Sequence, residues 1–257
     1  MKFNPNEKAY VEKMINDNTI FNVKYPKNDV KLLLRHFTLM GLDNDSVVYC
    51  TSEFMNNHSN IKANWKNEVV KCHNELLTKS ILTKPLSNVE KVIITKSEIE
   101  QILSLNDDKL EKVAFGLLVY CKIWGSMNGK SDSCWVRIDN TCDFYRDIQY
   151  STNSKTREIN INKLLNAGLI EIPRKTGSVD IKLNYVDNDS ETAIEITSFD
   201  DFILDFLKYK GIKIINCKEC GIRVIAKGNK SMYCNDCAKN KKRESTRKSV
   251  EKHRRMS

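Results

Sequence analysis

The pairs Cys217-x2-Cys220 and Cys234-x2-Cys237 constrain this chain more than any other feature. Two residues between paired cysteines let both thiolates of a tight knuckle reach one tetrahedral ion, and two such pairs complete a four-sulfur set. Thirteen residues separate the pairs, enough for a short β-hairpin. Gly221 follows the first pair, where a knuckle needs positive φ. Gly228-Asn229 is a tight-turn dipeptide that would join strands over 223–227 and 230–233. The spacing reads as one bound zinc ion, with two disulfides or four unrelated thiols as the competing readings. Four thiolates leave the ion no open position for water, so its expected role is structural.

The other five cysteines, Cys50, Cys72, Cys121, Cys134 and Cys142, are scattered and read as small buried hydrophobes. Nine is an odd number, and residues 1–10 are polar with no signal-peptide core, which fits a reducing cytoplasm, here that of a bacterial host cell. No apolar run approaches the roughly 20 residues of a membrane span. Abundant Asn, Lys and Ile point to an AT-rich genome, such as a low-GC bacterium or its phage.

Charge is concentrated at one end. Residues 212–257 carry 14 Lys+Arg against 4 Asp+Glu, whereas residues 1–211 carry 28 against 29, so the whole excess of +9 lies in the cysteine module and its tail. A one-ended basic block is a footprint for phosphate backbones; a solubilising, disordered tail is the alternative. From Ala238 onward the chain has 9 Lys+Arg and 2 Glu with almost nothing apolar, so by itself it should be disordered or a frayed helix.

Residues 1–90 read as a helical module. Helices are expected over 10–16, over 30–40 with Asn28 or Asp29 as cap and Gly41 as stop, from 43–45 to about 55, and over 63–79 with Trp65, Val69, Cys72, His73, Leu76 and Leu77 near one face. Pro85 closes the segment, and His36, His58 and His73 read as packing or surface residues. Thr95-x-x-Glu98 is a capping box for a helix to 105, and Asp107 or Asp108 opens a long apolar helix over 110–127. A strand over 134–138, a helix over 140–149, a helix over 155–166 stopped by Gly168, and a hairpin of strands over 169–175 and 178–186 follow. Residues 187–191 read as an acidic linker, 192–197 as a strand, and 199–210 as a helix capped by Ser198 with Asp201. Its stripe Phe202, Ile203, Phe206 and Leu207 is expected to pack.

The order helix, strand, helix, turn, helix, hairpin resembles a winged helix-turn-helix over residues 95–187, and Ile161-x-x-Leu164-x-x-x-Gly168-Leu169-Ile170 resembles the end of its recognition helix running into a wing. The cysteine array resembles a zinc ribbon. Tyr233-Cys234-x-x-Cys237-Ala238 followed by Lys/Arg repeats is similar to C-terminal zinc modules of phage and mobile-element proteins of Gram-positive bacteria, as is the stretch from Lys31 through Gly41 to Trp65. The expected fold is α+β and mostly helical, with four parts: 1–90, 95–187, a connecting strand and helix over 191–211, and the zinc ribbon with basic tail over 212–257.

A 100° projection of the 155–166 helix puts Ile161, Leu164 and Leu165 inward and Lys155, Thr156, Ile159, Asn160, Asn162 and Lys163 outward. Such side chains meet base edges in groove-reading helices, while Arg174, Lys175 and Lys182 on the wing would hold phosphates. Lys241, Lys242, Arg243, Arg247 and Lys248 in the tail would grip neighbouring backbone. No catalytic triad, Gly-rich phosphate loop or His-x-Glu deaminase signature is present, so no enzyme is expected. The expected function is a zinc-containing double-stranded DNA-binding regulator of transcription or recombination. The alternative is a protein-interaction factor, such as a recombination directionality factor acting on an integrase or an inhibitor of a host defence complex. The expected partners are thus duplex DNA, a recombinase or a second copy of the chain, and no membrane.

Overall fold

The computed structural model of the chain describes residues 4–22, 26–59, 63–130, 134–138, 141–173, 180–228 and 230–256. Four helices come first: α1 (Glu7–Asn16), α2 (Lys27–Leu39), α3 (Asn44–His58) and α4 (Trp65–Thr78). Asp43 caps α3 by accepting the Ser46 N–H at 2.9 Å, and Asn64 caps α4 through Asn67. The apolar faces meet in a core of Val11, Met14, Leu33, Leu34, Val47, Met55, Trp65 and Val69.

Polar contacts place the segments around that core, and two residues differ from expectation. Asp29 is not a cap. It is buried and accepts the Tyr10 hydroxyl and the Asn22 N–H, each at 2.9 Å. Burial, and then the Asp29 charge, hold the Tyr10 phenol far above its ordinary pKa. Leu77 is exposed, because Leu76 and His73 already define the inward side of α4. Arg35 clamps the module. Its Nη1 meets Glu7 at 3.0 Å, its Nη2 donates to the Pro85 carbonyl at 2.7 Å, and Glu7 accepts the Ser87 N–H.

The chain forms two compact units, Lys2–Glu90 with Ser126–Gly129, and Lys91–Gly125 with Lys130–Ser257. The segments expected over 95–187, 191–211 and 212–257 all lie in the second.

That unit begins with β1 (Val92–Thr95), whose pairing the sequence did not suggest. It runs antiparallel to β5 (Thr192–Ile196), with Ile94 opposite Ile194. Thr95 and Glu98 form a reciprocal capping box that opens α5 (Lys96–Leu103). Glu98 is fully buried, accepts the N–H groups of Thr95 and Asp187, and pairs with Lys122 at 2.8 Å. Lys122 also donates to Asn188, and Lys96 pairs with Glu191. Residues 187–191 are therefore stitched to the core rather than serving as a loose linker.

Helix α6 (Asp108–Met127) is apolar on nearly every side and is buried along most of its length. Phe115 stacks on Phe206 with centroids 4.6 Å apart, Tyr120 meets Phe144 edge-on, and the Tyr185 hydroxyl donates to the Ala114 carbonyl. Around it lie β2 (Trp135–Arg137), α7 (Thr141–Asp147), α8 (Ser154–Asn166), β3 (Ile170–Glu171) and β4 (Asp180–Leu183). The three strands form an antiparallel sheet in the order β2-β4-β3, with Val136 opposite Ile181 and Ile170 opposite Leu183. The expected turn at 176–177 lies outside the described residues.

Helix α9 (Ile203–Tyr209) starts later than expected, because Ser198 spends its hydroxyl on the Asp201 carboxylate and the N-cap position falls to Phe202, which makes no side-chain cap. Phe202, Ile203, Phe206 and Leu207 are all buried, as expected of a packing stripe. Lys210 at its end pairs with Asp108 and Glu111 of α6. Then come β6 (Ile214–Asn216), β7 (Arg223–Ile225) and α10 (Asn235–Met256). Among the described residues, no helix is long and apolar enough to cross a membrane. Cys72 and Cys121 are buried as expected and Cys50 and Cys134 half-buried, but Cys142 is exposed.

Gly116 allows α7 to lie against α6. A Cβ there would stand 3.0 Å from the Phe144 ring and closer still to Ile148. Gly116→Ala should therefore destabilise the second unit by about 1–3 kcal/mol through overpacking, read as a lowered midpoint in urea unfolding followed by aromatic circular dichroism.

Candidate metal centre and the cationic helix

The first cysteine pair sits in the turn of a hairpin. Strands β6 and β7 pair antiparallel, with Ile214 opposite Ile225 and Asn216 opposite Arg223. Cys217 N–H donates to the Ile222 carbonyl and Gly221 N–H to the Cys217 carbonyl, which closes the knuckle. Gly221 takes φ +74°, the left-handed conformation its position demanded. The expected hairpin between the two pairs is not what forms. Its first strand turns back onto β6, and residues 230–233 are not a strand. The reason is local: the knuckle itself is a tight turn, so the strands that pair are those flanking it. Asn229 lies outside the described residues; Gly228 and Ser231 bond each other across that turn.

The second pair opens a helix. Cys234 precedes α10, its carbonyl accepts the Ala238 N–H at 2.9 Å, and its sulfur accepts the Cys237 N–H at 3.4 Å. The Lys218 N–H donates to Met232 and so brings the two pairs together.

All four Sγ atoms lie within 4.8 Å of one another, with Cys220 and Cys234 3.8 Å apart. A tetrahedron of bonds about 2.3 Å long has edges of about 3.8 Å, so the set fits one thiophilic ion. None of the nine cysteines is bonded to another. The backbone N–H groups of Cys220 and Cys234 lower the Cys217 pKa to about 6, so this sulfur is largely thiolate at neutral pH. The hydrogen bond with Cys234, then burial, push Cys237 well above its ordinary value. The cluster resists losing its last protons until a cation compensates the charge. Cys217 and Cys234 are buried and Cys220 is exposed, so an ion would enter from the Cys220 side.

Two braces hold this centre. Arg223 of β7 reaches Asp205 of α9 with both terminal nitrogens, at 2.6 and 3.3 Å, and Asp201 at 3.4 Å. Lys241, one turn into α10, pairs with Glu219 of the knuckle at 2.7 Å and stands over the Tyr233 ring at 4.9 Å. The tail, expected to be disordered or frayed, is helical from Asn235 to Met256. The knuckle supplies the ordered first turn that an isolated helix lacks, and Lys, Arg and Glu propagate it.

The expected DNA-facing residues separate into groups. On α8, Lys155 and Ile159 are exposed and Thr156 is half-buried. Asn160 is a correction: it is buried and donates to the Tyr145 hydroxyl at 3.4 Å. Leu165, expected inward, is exposed. The inward side of α8 is centred on Asn160 and Leu164, one turn apart, so the face is rotated from the projected one. Lys163 is exposed but pairs with Asp107 at 3.4 Å, and Lys182 pairs with Glu171. Arg174 and Lys175 lie outside the described residues. Lys242, Arg243, Arg247 and Lys248 are all exposed on α10, whereas Lys241 is engaged with Glu219. Arg157 went unnoticed in the sequence: it bonds the Thr152 carbonyl and Cys142 and lies over the Tyr145 ring, which anchors the start of α8.

Cys234→Ala should reduce bound metal from about one equivalent to none by elemental analysis and expose residues 212–257 to limited proteolysis. Metal affinity should fall between pH 8 and pH 6 in a chelator competition, because protons compete for the sulfurs whose pKa is held high. Comparisons with protein-family models, curated proteins and solved structures gave no match.

Proposed function

We propose that this chain is a zinc-stabilised, double-stranded DNA-binding protein that acts without catalysis, as a regulator in a phage or mobile element within the bacterial cytoplasm. One observation carries the reading: the four-cysteine cluster seeds a solvated helix with nine Lys+Arg against three Asp+Glu. Zinc is the ion that suits four thiolates in a closed tetrahedron without redox chemistry. Its role is to hold the knuckle and the first turn of α10 together.

The succession α6, β2, α7, α8, β3, β4, with the sheet order β2-β4-β3, supports a winged helix-turn-helix reading. In that reading α8 enters a groove through Lys155, Thr156, Ile159 and Asn162, and Asn160 belongs to the interior. The α10 cations neutralise phosphates without regard to sequence.

A second reading is favoured by one observation. The outward face of α8 carries exposed Ile159 and Leu165, and its Lys163 is engaged by Asp107. Such a face suits a protein partner, such as an integrase or a host defence complex.

Binding-site selection followed by fluorescence anisotropy on selected and scrambled duplexes separates the two. Lys155→Ala should cost about 1–3 kcal/mol on the selected site and little on scrambled DNA. Combined Lys242→Gln, Arg243→Gln and Lys248→Gln should weaken binding to every sequence alike and lower the salt slope by about 0.9 per lost phosphate contact. No enriched site and no affinity for any duplex would favour the protein-partner reading.

A further inference from the structure

Helix α10 has a distribution of charge that a flat surface does not explain. Every described side chain over 238–248 is exposed, as is Val250. At about 100° per residue, Lys239, Arg243 and Arg247 form one ridge, four residues apart. Lys248 lies about 140° to one side of that ridge and Lys242 about 100° to the other. Cations thus point out on three sides of the helix. A lipid surface takes up one apolar face with cations along its edge, and besides the candidate ligand Cys237 the sequence of α10 offers only Ala238, Val250 and Met256 as apolar residues. An acidic patch on a protein meets one side of a helix and leaves the other cations in water. A groove with phosphates on both walls meets all three sides.

Size agrees with charge. Helix α10 spans 22 residues, about 33 Å, which is close to one turn of B-form DNA. With side chains it is about 10–12 Å across, against a B-form major groove about 12 Å wide. The major groove of an A-form duplex is deep, narrow and closed to side chains. The ridge of like charges four residues apart opposes helix formation in water, and phosphates on either side relieve that repulsion. Lys241 is held by Glu219, which fixes the root of the helix on the knuckle while its remaining length stays solvated.

The geometry points to α10 as a major-groove helix that selects B-form DNA over A-form duplexes; this rests on the DNA-binding reading above and deepens it. The test uses the full-length, zinc-loaded protein and duplexes of one 20-base-pair sequence made as DNA and as RNA. Anisotropy titrations compare the unaltered chain with Thr246→Pro. Thr246 is exposed and bonds only the Lys242 carbonyl within the helix, and it lies nine residues beyond Cys237. The substitution breaks the helix midway and leaves every charge in place. Expected are a preference for the DNA duplex of at least tenfold, and at least a tenfold loss of DNA affinity in Thr246→Pro with RNA affinity changed less than twofold and zinc content unchanged. Equal affinity for the two duplexes, or DNA binding that survives Thr246→Pro, would overturn the groove assignment while leaving DNA binding intact as that of a flexible polycation. Absence of binding to either duplex would overturn both readings, and tighter binding to anionic vesicles than to DNA would assign the helix to a membrane surface instead.

Discussion

Four sulfurs within 4.8 Å of one another cannot all carry negative charge unless something positive sits among them. The C-terminal part, residues 212–257, depends on that constraint. The knuckle between β6 and β7 and the first turn of α10 share little apolar burial: among the described residues from Ile212 to Lys248, the buried side chains are those of Cys217 and Cys234. What holds them is the sulfur cluster, a few backbone hydrogen bonds and the Lys241–Glu219 pair. Backbone N–H groups favour the Cys217 thiolate, while the hydrogen bond with Cys234, then burial, hold the proton on Cys237. A metal ion held among the sulfurs would turn that mutual repulsion into cohesion.

Elsewhere in the same unit, buried charge does a comparable job. Glu98 is sealed from water and answered by Lys122, with the N–H groups of Thr95 and Asp187 filling its other lone pairs. Removing either partner of such a pair costs about 3–5 kcal/mol because the other stays buried and uncompensated. Its value here lies in register. It fixes where the chain after Tyr185 returns, and that return sets β5 beside β1. The Lys210 contacts to Asp108 and Glu111 and the Phe115–Phe206 stack do the same for α9 against α6.

Local signals were legible in the sequence, and tertiary ones were not. The Thr95–Glu98 box, the Asp43 cap and the long apolar α6 announce themselves because their partners lie within a few residues. Strand β1 was hidden because four residues carry little periodicity and their partner lies about a hundred residues on. The helical projection sets Asn160 on the outward side, yet its acceptor is a tyrosine hydroxyl on a different helix. Gly228-Asn229 drew the hairpin to the wrong place, because the cysteine knuckle had already made the turn that mattered. The cysteine spacing itself predicted the sulfur cluster without help from any tertiary fact. For α10, repulsion among its cations was visible in the sequence, whereas the ordered first turn supplied by the knuckle was not.

The Arg223 fork on Asp205 has a consequence for how this protein can be taken apart or recombined. A cut at residue 212 would follow the apparent boundary between the helix and the cysteine module, but it would leave Arg223 without its acceptors and Asp201 and Asp205 without their cation. A transplantable piece therefore has to carry α9 and the α6 face it packs on, and a chimera that borrows only the cysteines and the basic helix would inherit the sulfur cluster without its anchorage.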